Sequence, residues 1–251
     1  MTVDRAMREA YILDLLAKDG SLSVAALSKD LGVSEVTIRS NLRALEHRGL
    51  LARTHGGAQP SSMADVMERR REHAAEKERI AEAAAALITD GDRIMIEAGT
   101  TSSLLPKYLG SRKGVQIVTN STLLLAQARL NPQLTVILTG GDFHRESESL
   151  VGPVALRSIR DFNVRYAFVG TDGFTSDRGI TTQFAQGAEV ITAMAARAEE
   201  TWLLADSSKY GRAGFVSVLE LSDLTGIITD DGLGPDSVAA LQMSALTVRV
   251  V

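Results

Sequence analysis

The 251-residue sequence contains no cysteine. That removes disulfides, thiolate metal sites and cysteine nucleophiles together. Aromatic residues make up only 4%, so a core must be filled mainly by Leu, Ile, Val and Ala. The four histidines, His47, His55, His73 and His144, fall at no recognisable ligand spacing. The start of the chain has no long apolar segment of the signal-peptide kind, and no uninterrupted apolar run reaches membrane-spanning length. The expectation is a cytoplasmic protein with no membrane partner, no metal and no cofactor. Its length suits one large domain or a small domain joined to a larger one.

A net charge of −4 looks wrong for a nucleic-acid binder until it is divided. Residues 1–60 hold eight Lys/Arg and seven Asp/Glu, a balance of +1, which leaves −5 on the remainder. Whole-domain charge is therefore a weak guide. The local footprint of Arg39, Arg43, Arg48 and Arg53 says more, because phosphate contacts depend on where cations stand.

Tyr11, Ile12, Leu15 and Leu16 recur on a helical period over 5–18, and Asp19-Gly20 ends it. A second short helix fits 24–30, anchored by Val24, Leu27 and Leu31. Gly32 permits a tight turn, and Ser34 is placed to cap a third helix. There Ile38, Leu42 and Leu45 share one face, while Val36, Thr37, Arg39, Ser40 and Arg43 lie on the opposite one. Residues 50–57 would form a hairpin wing that sets Arg53 and His55 near a DNA backbone or minor groove. The Gly56-Gly57 pair permits a sharp reversal close to the duplex. Three helices with a basic outward third suit major-groove reading. The same pattern also suits a small helical packing module with no nucleic-acid partner.

Residues 60–64 are small, polar and broken by proline, which marks a boundary. Arg69, Arg70 and Arg71 are balanced by Glu68 and Glu72, and read as a solvated helical linker that could brush DNA. A helix follows over 76–88. Beyond residue 90 short apolar runs alternate with helical stretches. Strands are expected at 93–97, 115–119, 134–139, 166–170, 201–205, 226–229 and 246–250, with helices at 101–109, 121–130, 149–160, 184–198 and 235–243. That alternation predicts an α/β domain with a mainly parallel sheet, whose ligands would lie beyond the carboxyl ends of the strands.

Polar and glycine-rich clusters stand at those ends: Glu97, Gly99, Thr100, Thr101 and Ser102; Thr119, Asn120 and Ser121; Gly140 and Gly141; Gly170, Asp172 and Gly173; and Lys209. Glycine lets backbone approach a ligand, hydroxyls and free helix amides meet phosphate oxygens, and lysine adds a point charge. Asp and Asn suit the hydroxyls of a sugar. Each cluster alone also reads as ordinary caps and turns. Together they predict one pocket for a phosphorylated sugar or polyol.

Several stretches carry a more specific resemblance. Leu31-Gly32-Val33-Ser34-Glu35-Val36-Thr37-Ile38-Arg39, then Leu42-Arg43-Ala44-Leu45-Glu46, and Arg53-Thr54-His55-Gly56-Gly57-Ala58 resemble the DeoR-type family of sugar-metabolism repressors. So do Gly99-Thr100-Thr101, Val118-Thr119-Asn120-Ser121, Gly140-Gly141, Phe168-Val169-Gly170 and Asp206-Ser207-Ser208-Lys209. The resemblance implies a winged helix-turn-helix over 1–58, a linker over 59–75, and an effector-binding and oligomerisation domain over 76–251. The last is related in fold to ribose-phosphate isomerases, glucosamine-phosphate deaminases and coenzyme A transferases. It implies double-stranded operator DNA as a partner, a homo-oligomer of two or more chains, and a phosphorylated sugar as modulator. The 168–182 region most resembles members that handle galactitol, N-acetylgalactosamine or related hexitol phosphates. Two departures stand out. Ser40-Asn41 replaces the family's usual Arg-Asp, and Glu97 replaces its usual Asp.

An isomerase-like enzyme is the alternative, with Asp172, Glu189, Asp206 and Lys209 as possible acid/base groups. The isomerases follow their aspartate loop with lysine-glycine-glycine. Here Arg178-Gly179-Ile180 stands in that region, without the lysine, and regulation is the expected function.

Overall fold

The computed structural model describes residues 5–47, 50–60, 62–244 and 246–251. Arg48 and Gly49, expected between the third helix and the wing, lie outside the described residues, as does Ser61 of the expected linker. The chain divides into two compact units, parted between Arg69 and Arg70.

The first unit holds α1 (Arg5–Asp19), β1 (Leu22–Ser23), α2 (Val24–Leu31), α3 (Glu35–His47), β2 (Leu51–Thr54) and β3 (Gly57–Pro60). Its core gathers Ile12, Leu16, Val24, Leu27, Ile38, Leu42, Leu45, Leu51 and Ala58. Each large side chain buried there contributes about 1.5–3 kcal/mol, which lets so small a unit hold together. The helix ends follow from local chemistry. The Ser23 hydroxyl accepts the Ala26 amide at the start of α2, and Gly32 ends it in a left-handed turn at φ 63°. The Ser34 hydroxyl accepts the Thr37 amide at 3.2 Å and so caps α3.

The three strands form an antiparallel sheet in the order β1-β3-β2. The wing therefore runs over 51–60, longer than the 50–57 read from sequence. A side chain at Gly57 would overlap the Leu22 carbonyl, whereas Gly56 faces open space. Close approach of β1, rather than of DNA, is what demands glycine at position 57.

Helix α4 (Ser62–Arg71) occupies much of the expected linker. The second unit begins with α5 (Ala74–Ala85) and continues through β4 (Arg93–Ile96), a 3-10 helix (Ser102–Tyr108), β5 (Gln116–Thr119), α6 (Thr122–Ala128) and β6 (Thr135–Leu138). Then come β7 (Asp142–His144), β8 (Ser149–Val151), α7 (Gly152–Arg160), β9 (Val164–Val169), β10 (Gly173–Thr175), β11 (Gly179–Thr182) and α8 (Ala185–Ala195). Last are β12 (Ala198–Leu204), a short 3-10 turn (Ser207–Lys209), β13 (Val216–Leu219), β14 (Gly226–Thr229), α9 (Pro235–Gln242) and β15 (Thr247–Val250).

Seven strands make the main sheet in the order β15-β14-β12-β9-β4-β5-β6. Every pairing in it is parallel. Side chains alternate between its faces. Ile94, Ile96, Tyr166, Phe168, Trp202 and Leu204 pack with α5, α6 and the first 3-10 helix. Met95, Ala167, Val169 and Leu203 pack with α7, α8 and α9.

Two expected helices differ. The segment 101–109 winds as a 3-10 helix around Pro106, which supplies no backbone donor. In 149–160 the first three residues pair as β8, and the helix starts only at Gly152, at φ 82° with proline next. Residues 179–182 form a buried strand, β11, held between β10 and β13.

The order of strands fixes where a ligand crevice opens. From β4 the chain steps outward through β5 to β6, then returns to the other side of β4 as β9 and proceeds through β12 and β14 to β15. Beyond the carboxyl ends of β4 and β9 the connections diverge to opposite sides. That topological switch point is where open parallel sheets leave room for a ligand.

Candidate functional site

On α3 the core residues Ile38, Leu42 and Leu45 are buried, which turns Val36, Arg39, Ser40 and Arg43 outward, all exposed. Val36 keeps 76% of its surface in water, an apolar group suited to a thymine methyl. Thr37 is half-buried, and its hydroxyl lies 2.9 Å from that of Ser34, within the helix cap. The Arg39 guanidinium pairs with Glu35 at 2.8 Å, one turn back. On the wing Arg53 pairs with Glu46 of α3 at 3.4 Å, and His55 is exposed at the turn. The neighbours Ser40 and Asn41 face opposite ways. Ser40 stands on the exposed face, while Asn41 is 3% exposed and its carbonyl oxygen accepts the Arg8 guanidinium of α1 at 3.4 Å. Asn41 thus serves the packing of α3 on α1.

In the second unit Glu97 and Gly170 directly follow β4 and β9, at the switch point. The Gly170 amide donates to Glu97 Oε2 at 3.2 Å across the gap between these strands. Glu97 is 8% exposed. Burial, the nearby charge of Asp172 and too little compensation from the Gly170 amide push its carboxyl up to about 8. Asp172 is held in place by the Thr182 hydroxyl and the Gln183 amide, each at 2.8 Å. Gly99 and Thr100 lie half-buried after Glu97 on the same loop, and Thr101 is buried at its end.

Lys209 lies at the carboxyl end of β12, the strand beside β9, and is half-buried. Its ammonium has no ion-pair partner among the described residues. The turn that carries it is clamped by Asp230, whose carboxylate accepts the Ser207 amide at 2.6 Å and the Ser207 hydroxyl at 2.8 Å. Burial pushes the Asp230 carboxyl up, yet the Ser207 donors and the Gly232 amide together hold it below the ordinary carboxylate value. Asp230 escaped the sequence reading. Its position straight after strand β14, matching Asp206 after β12, is the signal that was there.

Other residues singled out from sequence brace the loops at these strand ends. The Ser102 hydroxyl donates to the Glu97 carbonyl at 2.7 Å. The Thr119 hydroxyl donates to the Ile96 carbonyl at 2.6 Å and accepts the Ser121 amide. Asn120 takes the Ala98 amide at 2.9 Å and donates to the Leu150 carbonyl, while the Ser121 hydroxyl caps α6. All four are at most 1% exposed, and their side chains fix loops. Gly173 likewise answers to packing, since a side chain there would strike the Arg212 backbone. Gly140 and Gly141 follow β6 at the far edge of the sheet, two strands from β4, and a side chain at Gly141 would overlap the Val151 carbonyl.

Comparison with known proteins gives both units a family. Residues 8–63 match the DeoR-like helix-turn-helix domain, and residues 72–231 match the DeoR C terminal sensor domain. The uncharacterized HTH-type transcriptional regulator YulB of Bacillus subtilis is 34% identical over 98% of this chain and 96% of its own. The HTH-type transcriptional regulator GlpR of Haloferax volcanii is 33% identical over 97% and 96%. The lactose phosphotransferase system repressor of Lactococcus lactis is 34% identical over 93% and 94%. Among solved structures, ribose 5-phosphate isomerase A of Methanocaldococcus jannaschii overlays with a TM-score of 0.41 at 19% identity, covering 55% of each chain. Two family models and relatives matched almost end to end agree on the same kind of protein. The chain belongs to the DeoR family, and is a DNA-binding transcriptional regulator with a sensor domain rather than an enzyme.

Proposed function

We propose that this regulator represses a sugar or polyol catabolic operon in the cytoplasm and releases its operator when a phosphorylated sugar enters the switch-point crevice. Val36, Arg39, Ser40 and Arg43 would read the major groove, with Thr37 setting the start of the helix and Arg53 and His55 meeting the backbone. A homo-oligomer of two or more chains would present paired recognition helices to a repeated operator. In the crevice Lys209 and the 99–103 loop would take the phosphate. Glu97, Gly170 and Asp172 would meet the sugar.

The sensor half rests chiefly on one observation. A buried carboxylate and a cation without an ion-pair partner stand beyond the ends of strands β4 and β12, which only β9 separates. Charge-assisted contacts to a phosphate in a partly desolvated crevice contribute about 1.5–3 kcal/mol each. Coupling needs only different effector affinities in the DNA-competent and DNA-incompetent arrangements.

The test pairs two measurements on the full chain. A thermal-shift screen of hexose, pentose and hexitol phosphates, each beside its unphosphorylated form, selects an effector. Calorimetry then compares wild type with Lys209→Met and Thr100→Val. Lys209→Met should weaken binding about tenfold or more, and Thr100→Val should weaken it less, with operator affinity unchanged in both. Equal affinities across the three proteins would remove the phosphate from this end of the crevice.

A further inference from the structure

We propose that the crevice selects a sugar phosphate bearing an amino group, a hexosamine phosphate, and that Glu97 is the residue that prefers its ammonium to a hydroxyl. This rests on the sensor reading above and narrows its ligand.

Glu97 is nine-tenths buried at the switch point, yet its carboxylate is under-supplied with donors. Oε2 accepts the Gly170 amide, and Oε1 accepts no hydrogen bond among the described residues. An ionised carboxylate offers about four acceptor sites. The charged group whose field bears on it is Asp172, of the same sign, supplied by the loop after β9. Asp172 is pinned by Thr182 and Gln183 and cannot easily turn away. No lysine, arginine or histidine pairs with either carboxylate among the described residues. Two acids therefore converge at the mouth of the sheet without a cation.

The structure balances this for now with a proton, since burial raises Glu97 toward 8. A ligand ammonium would supply the missing charge and three donors at once. A hydroxyl of nearly the same size would supply one donor and no charge. The surroundings also leave an approach to the carboxylate. A side chain at Gly170 would come within 3.2 Å of Oε2, and one at Gly99 within 3.8 Å. Lys209, at the end of β12, is left to the phosphate, so the two ends of the crevice would read opposite charges on one molecule. The Glu97 side chain spans from the end of β4 to the Gly170 amide.

The experiment is calorimetry on the full-length protein with glucosamine 6-phosphate against glucose 6-phosphate, and galactosamine 6-phosphate against galactose 6-phosphate. Each titration is run in two buffers of different ionisation enthalpy. In the preferred sugar series the amine should bind at least about tenfold tighter than the hydroxyl. Its binding should release a proton near pH 7, which the hydroxyl compound should not do. Glu97→Gln should abolish both the preference and the proton release, with its fold checked by thermal melting. Equal affinities for amine and hydroxyl in wild type, or a preference that survives Glu97→Gln, would overturn this assignment and leave the sugar-phosphate sensor standing. If none of the four compounds binds, and Lys209→Met changes the response to no phosphate, the sensor reading itself falls and takes the amine with it.

Discussion

The two units handle their polar groups in opposite ways. On α3 the side chains offered to a partner stand in water, supported at most by an ion pair one turn away, as Arg39 is by Glu35. In the sensor unit polar side chains are cross-braced beneath the surface. The Thr119, Asn120 and Ser121 side chains bond to neighbouring backbone, whereas Glu97 takes a single amide and Lys209 has no ion-pair partner among the described residues. Reading a duplex needs reach over a preformed rigid partner. Enclosing a small molecule needs loops fixed to within fractions of an ångström. Function and stability should therefore separate cleanly in the first unit at surface positions, and be entangled in the second.

The largest effect should come from breaking that separation on purpose. Leu42 is 1% exposed on the inner face of α3, so Leu42→Ala should cost about 2–5 kcal/mol. Differential scanning calorimetry should show the loss in the first unit, with operator binding lost and sensor ligand binding kept. Next is the entangled case. Below pH 4.5, the ordinary glutamate value, Glu97 is protonated folded or unfolded. Between 4.5 and about 8 the unfolded chain releases the proton that the folded protein keeps. Stability should then fall with rising pH by at most about 1.4 kcal/mol per unit, and level off above 8. Glu97→Gln should flatten that slope in denaturant titrations at pH 5.5 and 7.5.

Arg39→Ala sharpens the comparison from the other side. It should lose about 1–3 kcal/mol of operator affinity in a titration at fixed salt, with the melting temperature unmoved. Smallest is Ser40→Arg, which should shift stability by less than about 0.5 kcal/mol. Its effect should appear as a changed preferred sequence in a randomised-operator selection. An unchanged preference would place residue 40 off the reading surface.

The helices and long strands were legible because their periods are strong. Ile38, Leu42 and Leu45 announce α3, and all seven strands of the main sheet lie where apolar runs were read. The short strands were not legible, since β7, β8 and β10 are three residues each and no period can be counted over so few. The crevice was half legible. Residue type placed polar groups at the strand ends, but could not say which hydroxyls the backbone would claim. Ser102 and Thr119 look as available as Thr100 until their carbonyl partners are seen. Gly57 teaches the same lesson, since its neighbour across the sheet, Leu22, is 35 residues away along the chain.

The acid partners on the DNA-binding unit have a consequence for ionic strength. A free arginine near a duplex displaces condensed cations from the phosphates, and the number displaced sets how steeply affinity falls with salt, about 0.9 per phosphate neutralised on a logarithmic scale. Arg39 and Arg53 are already neutralised by Glu35 and Glu46. To meet a phosphate each must either exchange its carboxylate or bring that negative charge along. The slope of affinity against salt should therefore be shallower than the count of arginines on this surface implies, with part of the electrostatic affinity already spent within the protein.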